Sequence, residues 1–248
     1  MQRFFADPSR IDEETGEIRI GGTDVNHIRN VLRMRTGDEL WISDGEQKEY
    51  HCTIRDYTED EVILQILYAQ EPEYELPCDL YLYQCVPKGD KMDMIVQKAV
   101  ELGAAGIIPV ESSRCIVRLD EKKAEKRQKR WQQIAEGAAK QSRRMRIPVV
   151  EPVLSFKKAL EQAKSLDLLL IPYELEKGMK RTREVLQEVK PGRSVGILIG
   201  PEGGFEPQEV ALAKEAGAVP ISLGRRILRT ETAGMTLLSV LMFRLEEE

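Results

Sequence analysis

The stretch that decides the fold reads Val195-Gly196-Ile197-Leu198-Ile199-Gly200-Pro201-Glu202-Gly203-Gly204-Phe205. Its first five residues form a short apolar run, which is typical of a buried strand. Pro207 then favours the start of a helix, and Gly217 favours its end. A second apolar run over residues 219–223 leads into another glycine-bearing loop and a final apolar helix. The pattern therefore predicts two consecutive units of strand, loop and helix.

The two loops lie where an α/β protein usually binds a ligand. In open α/β sheets, ligands sit at the carboxyl ends of the strands, where loops and helix N-termini meet. Gly200, Gly203 and Gly204 let the backbone approach a bound molecule closely, although tight turns alone also explain glycines here. The sequence of the first loop does not match the G-x-G-x-x-G motif. It is not a Walker loop either, because no Gly-Lys-Ser/Thr follows. The loops therefore disfavour a dinucleotide or a nucleoside triphosphate.

Two blocks of sequence carry a resemblance to a known family. They are Ile199-Gly200-Pro201-Glu202-Gly203-Gly204-Phe205 and Leu223-Gly224-Arg225-Arg226-Ile227-Leu228-Arg229-Thr230-Glu231-Thr232-Ala233. In this order they resemble the bacterial ribosomal RNA uridine-N3 methyltransferase family, which belongs to the SPOUT class of knotted methyltransferases. The Gln141-Ser142-Arg143-Arg144 segment is also similar to that family, so the resemblance extends beyond the two loops.

The resemblance implies a fold. It predicts a C-terminal α/β methyltransferase domain with a mostly parallel six-stranded sheet and a trefoil knot, preceded by a small PUA-like β-barrel. General connectivity rules would instead predict an unknotted doubly wound sheet. The knot is therefore expected from the resemblance alone.

The resemblance also implies S-adenosyl-L-methionine as cofactor, held by three loops. Apolar side chains of the last loop would suit the adenine ring, and acidic side chains would suit the polar end of the molecule. The implied cofactor-binding residues are Pro172, Tyr173, Glu174, Ile199, Gly200, Pro201, Glu202, Gly203, Gly204, Leu223, Gly224, Ile227, Leu228, Thr230, Thr232 and Ala233.

Methylation of uracil N3 requires that the N3 proton leaves and that the resulting negative charge is stabilised. A base or a cation near the uracil carbonyl oxygens would serve these purposes. Arg229 and Glu231 are the catalytic candidates, although a structural salt bridge that fixes the loop would also explain both. Glu202 has an alternative role too, because a carboxylate near a helix N-terminus complements the helix dipole.

The charge distribution favours a nucleic-acid partner although the net charge is −5. Residues 118–146 hold eleven Lys or Arg and four Asp or Glu, which is a local charge of +7. A basic stripe on an acidic protein suits a phosphate-binding face, although charged runs are often only solvated surface. The predicted RNA-binding residues are Arg33, Lys88, Lys91, Lys140, Arg143, Arg144, Arg225 and Arg226.

A change of pattern near residue 72 predicts two domains. The first part has short strand-like runs, with an Asp44-Gly45 turn that is typical of a hairpin. Residues 71–77 hold two prolines and three glutamates and indicate a linker. After the linker, six apolar strands alternate with helices, which predicts a mostly parallel sheet covered on both faces. We therefore expect a PUA-like RNA-binding domain at residues 1–71 and a methyltransferase domain at residues 72–248.

The remaining features narrow the class of protein. No apolar run reaches membrane-spanning length, and the four scattered cysteines and two histidines lack zinc-ligand spacing. We expect a cytoplasmic enzyme without metal that acts on 16S ribosomal RNA of the small (30S) subunit. The apolar last helix suggests a homodimer interface, and an interior helix of the monomer explains it equally well. The alternatives are a ribose 2′-O methyltransferase of the same class, a non-catalytic RNA-binding assembly factor, and a nucleotide-dependent α/β enzyme.

Overall fold

The computed structural model describes residues 1–246, and these form two compact units. The first unit combines Met1–Glu75 with Ala139–Ile147, and the second holds Leu76–Ala138 and the chain from Pro148 onward. The first unit therefore takes a second piece from the middle of the sequence. The domain boundary between residues 71 and 72, expected from the sequence, stays a prediction.

The first unit is built on one six-stranded sheet. Its strands are β1 (Arg3–Phe5), β2 (Ile11–Asp12), β3 (Glu17–Gly21), β4 (Glu39–Ser43), β5 (Glu49–Tyr57) and β6 (Glu61–Gln70), and its short helical segments are Pro8–Arg10, α1 (Thr23–Asn26) and a π-helical turn, His27–Val31. The strand order is β1-β4-β5-β6-β3-β2, and neighbours are antiparallel except β1 and β4. The sheet is a half-barrel with one buried face, which includes Ile18, Leu40, Ile54 and Leu64.

The predicted Asp44-Gly45 turn joins β4 to β5. One Asp44 carboxylate oxygen accepts hydrogen bonds from the backbone N–H groups of residues 46, 47 and 48 at 2.8–3.1 Å. Gly45 has a φ of 80°, a conformation that glycine adopts without a steric penalty. The hairpin is therefore specified locally, as the sequence predicts.

A buried ion pair holds the second piece of the first unit. The Nε of Arg144 lies 2.9 Å from both carboxylate oxygens of Glu75, and the backbone N–H of Met145 donates to the same carboxylate at 2.8 Å. Lys140 pairs with Asp24 at 2.9 Å, and Ser43 donates to the Met145 carbonyl at 3.0 Å. Burial alone would raise the pKa of Glu75, but Arg144 and the backbone donors outweigh it and lower that pKa overall.

These contacts involve two of the predicted RNA-binding residues. The Arg144 side chain is only 6% exposed and the Lys140 side chain only 15%, and each is bound by a carboxylate of the same unit. Their charges contribute to the fold of the first unit, and their role in RNA binding stays a prediction. Arg33 and Arg143 are exposed, each with a positive φ.

The second unit alternates strands with helices. Its elements are β7 (Asp79–Cys85), α2 (Lys91–Glu101), β8 (Ala104–Glu111), α3 (Glu121–Ser142, whose last residues belong to the first unit), β9 (Val149–Val150), β10 (Leu154–Ser155), α4 (Phe156–Ala163), β11 (Leu168–Pro172), α5 (Lys180–Gln187), β12 (Ser194–Ile199), α6 (Pro207–Glu215), β13 (Ala218–Ile221) and α7 (Thr230–Leu245). None of the helices in residues 1–246 is long and apolar enough to cross a membrane.

All pairings in the second sheet are parallel. The order is β10-β8-β7-β12-β11-β13, with β9 also paired to β8. The predicted parallel α/β fold is confirmed, with seven strands rather than six because the two-residue β10 adds to the edge. Ile199 lies opposite Gln84, and Pro172 lies opposite Ile221. The carboxyl ends of β7, β12, β11 and β13 therefore meet at one edge of the sheet.

Replacing Glu75 with Gln should destabilise the first unit. The change removes the charge that compensates the buried Arg144 guanidinium, and breaking a buried pair costs about 3 kcal/mol of unfolding free energy. The matched control is Glu73→Gln, because Glu73 is exposed on the same segment. Urea denaturation at pH 7 measures the difference.

The pH dependence gives this prediction a second readout. Because the folded state lowers the pKa of Glu75, its stabilisation is fully present above the ordinary carboxyl pKa. The stabilisation is lost as pH falls through the lowered, folded-state pKa. The difference between wild type and Glu75→Gln should therefore shrink in acid, and a difference that does not depend on pH would contradict the proposed role of the pair.

Candidate functional site

A cavity of about 620 Å³ lies at the carboxyl edge of the second sheet, within the size range of small-molecule sites. Three loops form it, after β11, after β12 and between β13 and α7. Its lining comprises Lys88, Lys91, Pro172, Tyr173, Glu174, Glu176, Ile199, Gly200, Pro201, Glu202, Gly204, Phe205, Ser222, Leu223, Gly224, Arg225, Arg226, Ile227, Leu228, Arg229, Thr230 and Ala233.

The structure brings most of the predicted site residues together. All predicted cofactor-binding residues except Gly203 and Thr232 line the cavity, as do Arg229 and four of the predicted RNA-binding residues, Lys88, Lys91, Arg225 and Arg226. Their roles stay predictions. The sequence prediction did not assign Glu176, Phe205 and Ser222 to the site, although Phe205 is the last residue of the first of the two sequence blocks.

Gly203 and Thr232 lie outside the cavity for identifiable reasons. The Gly203 carbonyl accepts a hydrogen bond from Arg114 at 2.9 Å, and a Cβ at Gly203 would lie 3.4 Å from the Arg114 side chain. Gly203 therefore supports its loop from the outer side. Thr232 is exposed, and its carbonyl accepts a hydrogen bond from Thr236.

A chain of hydrogen bonds joins three elements behind the cavity. The fully buried Gln84, at the end of β7, donates from its side-chain amide to the Thr230 hydroxyl at 2.8 Å. Thr230 in turn donates to the Gly200 carbonyl at 2.6 Å. The start of α7, the end of β7 and the loop after β12 are thereby held in one arrangement. Gln84 was not predicted as a site residue, because a lone glutamine in a strand gives no sequence signal.

Gly200 is required by the packing of this loop. A Cβ at Gly200 would lie 3.1 Å from the ring of Phe205, which is 6% exposed. Contacts this short force the neighbouring side chain to move. The glycine therefore lets the loop fold back over the buried Phe205 ring while its other side faces the cavity.

The N-terminus of α6 has its own carboxylates. Glu206 and Glu209 form a capping box, and one Glu209 oxygen also accepts from the backbone N–H of Ser113 at 2.8 Å. Arg114 donates to Glu206 at 2.8 Å. Glu206 and Glu209, and not Glu202, therefore form the cap of α6.

Glu202 instead belongs to a charged cluster beside the cavity. The Lys91 ammonium lies 3.0 Å from Glu202 and 3.4 Å from Glu231, and the backbone N–H of Lys88 donates to Glu202 at 3.2 Å. The hydrogen bond to Glu202 is the main cause of a raised pKa for Lys91. Burial would raise the pKa of Glu202, but hydrogen bonds from its own backbone and from Lys91 and Lys88 lower it overall. One cation thus faces two carboxylates.

The side-chain oxygen of Glu231 nearest to Lys91 is buried and accepts no hydrogen bond from the described residues. At 3.4 Å from Lys91 it forms an ion pair without hydrogen-bond geometry. An unsatisfied buried carboxylate oxygen is costly unless a ligand or water completes it. The cluster therefore has unused capacity to bind a positively charged or hydrogen-donating group.

Three arginines of the last loop are exposed and unpaired. Within residues 1–246, the side chains of Arg225, Arg226 and Arg229 make no ion pair. The predicted alternative of a structural salt bridge for Arg229 and Glu231 is therefore not formed, because Glu231 faces Lys91. The described chain also contains no cluster of three His, Cys, Asp or Glu residues that could hold a metal ion.

Comparison with known proteins decides the family. The RNA methyltransferase domain matches residues 74–242, and the RNA methyltransferase PUA domain matches residues 20–67. The ribosomal RNA small subunit methyltransferase E of Bacillus subtilis is 36% identical over 250 residues, which are 99% of this chain and 98% of that protein. The chain belongs to this family.

Further relatives agree with this membership. The ribosomal RNA small subunit methyltransferase E of Mesomycoplasma hyopneumoniae is 31% identical and covers 96% of this chain and 98% of its own length. A crystal structure of the Neisseria gonorrhoeae protein of the same name, bound to S-adenosyl methionine, superposes with a TM-score of 0.84 at 33% identity, covering 98% of each chain. The resemblance inferred from the two loops is thereby confirmed, and the chain is an RNA methyltransferase.

The residues of the cavity fit S-adenosylmethionine. Ile199, Leu223 and Leu228 provide apolar walls of the kind that an adenine ring needs. The cluster of Glu202, Glu231 and Lys91 carries a net negative charge and one unsatisfied buried oxygen, which suits a cofactor with a sulfonium and an amino group. The glycine-bearing loop lets backbone groups reach a ligand.

Replacing Thr230 with Val should weaken the site without changing its shape. Valine matches threonine in volume but neither accepts from Gln84 nor donates to Gly200, and unmade buried hydrogen bonds cost about 1–3 kcal/mol. We expect lower unfolding free energy and weaker S-adenosylmethionine binding, measured by urea denaturation and calorimetry. Thr232→Val is the matched control, and an equal loss in that variant would show that the hydrogen-bond chain is not responsible.

Proposed function

We propose that this enzyme transfers a methyl group from S-adenosyl-L-methionine to N3 of a specific uridine in 16S ribosomal RNA of the small (30S) subunit. The observation that carries the proposal is the cavity, in which both sequence blocks of the family and three unpaired arginines meet. The proposal also rests on full-length similarity to proteins named ribosomal RNA small subunit methyltransferase E. Since 16S ribosomal RNA is made and assembled in the bacterial cytoplasm, we also place the enzyme there.

The loops around the cavity would hold the cofactor. Leu223 and Leu228 suit its adenine, and the carboxylate of Glu202 suits its positively charged end. When bound, S-adenosylmethionine supplies an electrophilic methyl group. The protein then has to align uracil N3 with that group, because a displacement of this kind depends mainly on orientation.

Arg229 is placed to stabilise the negative charge that develops on uracil. It lines the cavity, is exposed and has no ion-pair partner within the described chain, so its guanidinium is free to bind a carbonyl oxygen of the base. A preorganised cation at such a position is an effective means of charge stabilisation. Lys91 is less suited to this role because two carboxylates already surround it.

Glu231 is the candidate group for the N3 proton. Its side chain is 12% exposed, and one oxygen is buried without a hydrogen bond. That oxygen lies 3.4 Å from the Lys91 ammonium, so a mobile proton and a fixed cation are close to each other at this end of α7. Arg229 and Glu231 thus have complementary roles in this proposal. The arginine binds the uracil anion, and the carboxylate accepts the N3 proton.

Methyl transfer to ribosomal subunits tests the proposal directly. Radiolabelled S-adenosylmethionine is incubated with small subunits that lack native modifications, and the RNA is digested to nucleosides. Label in 3-methyluridine supports the proposed function. Label in a 2′-O-methylated nucleoside would replace it with ribose methylation, and absence of both labelling and cofactor binding would favour an RNA-binding assembly factor.

Replacing Arg229 with Ala should separate chemistry from cofactor binding. Loss of a preorganised charge-stabilising group lowers kcat by roughly 100-fold. Because Arg229 is not required for the apolar contacts of the cofactor, its dissociation constant should change little in calorimetry. Arg183→Ala, an exposed arginine of α5, is the control. A loss confined to cofactor affinity would remove Arg229 from the catalytic role.

We also propose that the enzyme is a homodimer that pairs through α2 and α7. These two helices pack against each other, and they carry exposed apolar side chains, Met94 at 42%, Val240 at 45% and Phe243 at 70%. Exposed apolar residues on one surface are typical of subunit interfaces. The C-terminal trefoil knot also stays a proposal, supported by the family resemblance.

Replacing Phe243 with Asp should dissociate the dimer. A carboxylate buried in an apolar interface would be desolvated without a partner, which strongly disfavours association. Leu212→Asp on α6 is the control, because Leu212 is 40% exposed on another helix. Sedimentation velocity measures the state of assembly, and a dimer that persists in Phe243→Asp would place the interface elsewhere.

A further inference from the structure

Ile227 is an apolar side chain in an unusual position. It is 85% exposed, more than Ile116 at 71% or Leu175 at 68%. Isolated exposed apolar residues are common on protein surfaces and need no explanation by themselves. Ile227 differs from the other two because it lines the cavity, which they do not.

The surroundings of Ile227 are basic. Arg225 and Arg226 precede it and Arg229 follows it, and all three are exposed and without ion pairs in residues 1–246. The loop thus presents one exposed apolar side chain between unpaired cations. It suits RNA, whose phosphates take the arginines and whose base faces take the apolar group.

The loop that carries Ile227 is held at both ends. The hydroxyl of the buried Thr182 donates to the Ser222 carbonyl and accepts from the Ser222 backbone N–H, both at 3.0 Å. Thr230 is fixed by its bonds to Gln84 and Gly200. Between these anchors the Ile227 side chain is exposed and lines the cavity, so it is available to contact a ligand.

The proposed reaction requires a displaced base. N3 lies on the Watson–Crick edge of uracil, so a paired or stacked uridine must leave the helix before its N3 can reach a cavity. Proteins that open nucleic acids frequently insert apolar side chains, isoleucine among them, where a base step is unstacked. The inserted side chain replaces part of the lost stacking.

We propose that Ile227 contacts RNA as a wedge, packing against the base next to the target uridine and filling the space that the displaced uracil leaves. Arg225 and Arg226 bind the flanking phosphates. This inference rests on the proposed function, and it changes the role predicted for Ile227 from the sequence, which was to cover the cofactor. Ile227 is thus a positioning residue for the RNA.

The test uses the full enzyme and small ribosomal subunits without native modifications. Ile227→Ala should lower kcat/KM for subunits roughly tenfold, the effect of removing a buried apolar side chain from a contact. Ile227→Leu, which retains apolar volume, should stay within about threefold of wild type on the same scale. Ile116→Ala is the matched control, since Ile116 is similarly exposed but outside the cavity.

Three further readouts distinguish the possible occupants. The dissociation constant of S-adenosylmethionine, measured by calorimetry, should stay within about twofold of the wild-type value. A tenfold change would correspond to about 1.4 kcal/mol. The slope of log kcat/KM against log salt should be unchanged in Ile227→Ala, whereas Arg226→Ala should reduce it by about 0.7 for one lost phosphate contact. Sedimentation velocity should show the same state of assembly as wild type.

The outcomes separate cleanly. A parallel loss of cofactor affinity would return Ile227 to the cofactor, and a change of assembly state would assign it to a second copy of the chain. Wild-type activity in Ile227→Ala, or no recovery in Ile227→Leu, would also overturn the wedge. If wild type places no label at uridine N3, the proposed function itself fails, and this result does not depend on any Ile227 variant.

Discussion

The hydrogen bonds that run from Gln84 through Thr230 to Gly200 are the constraint on which the site depends. They connect the end of β7, the first residue of α7 and the loop after β12, which are far apart in sequence. Gln84 and Thr230 are buried, so the bonds are protected from competition with water. Because Thr230 follows directly after the arginine-rich loop, the same contact fixes the end of that loop. Packing of Phe205 against Gly200 then fixes the other cavity wall.

The distribution of paired and unpaired charges separates structural cations from those available to a ligand. Arg144 and Lys140 are enclosed by Glu75 and Asp24, and Lys91 lies between Glu202 and Glu231. Arg225, Arg226 and Arg229 have no such partners within residues 1–246. The pair with Arg144 holds the pKa of Glu75 below its usual value and stabilises the fold at neutral pH, whereas an exposed unpaired guanidinium contributes little to folding. Part of the net basic charge of residues 118–146 is therefore bound by carboxylates of the fold.

The sequence predicted the parts of the molecule that depend on local pattern. The parallel α/β fold, the hairpin at Asp44-Gly45 and the three cavity loops follow from apolar periodicity, turn residues and two recognisable blocks. It did not reveal what depends on distant contacts. The ion pair of Arg144 with Glu75 was not predicted, because the two residues lie 69 positions apart and no charge pattern connects them. Gln84 was missed because its hydrogen-bond partner lies 146 residues away. The strand β10 was missed because two residues show no periodicity.

The unpaired state of the last loop has a consequence for how the enzyme meets RNA. A loop whose charged side chains pair with one another is already ordered, and binding must first break those pairs. Here the backbone is held at Ser222 and Thr230, while the arginine side chains between them keep their freedom. Binding therefore restricts side chains but does not have to fold the loop, so less of the interaction energy is lost to ordering. Since phosphate contacts are weakened by salt and apolar contacts are not, the two kinds of side chain on this loop would contribute separable components of affinity in the proposed complex. The proposed RNA contact of the loop thus combines general electrostatic attraction with a local contact that depends on shape.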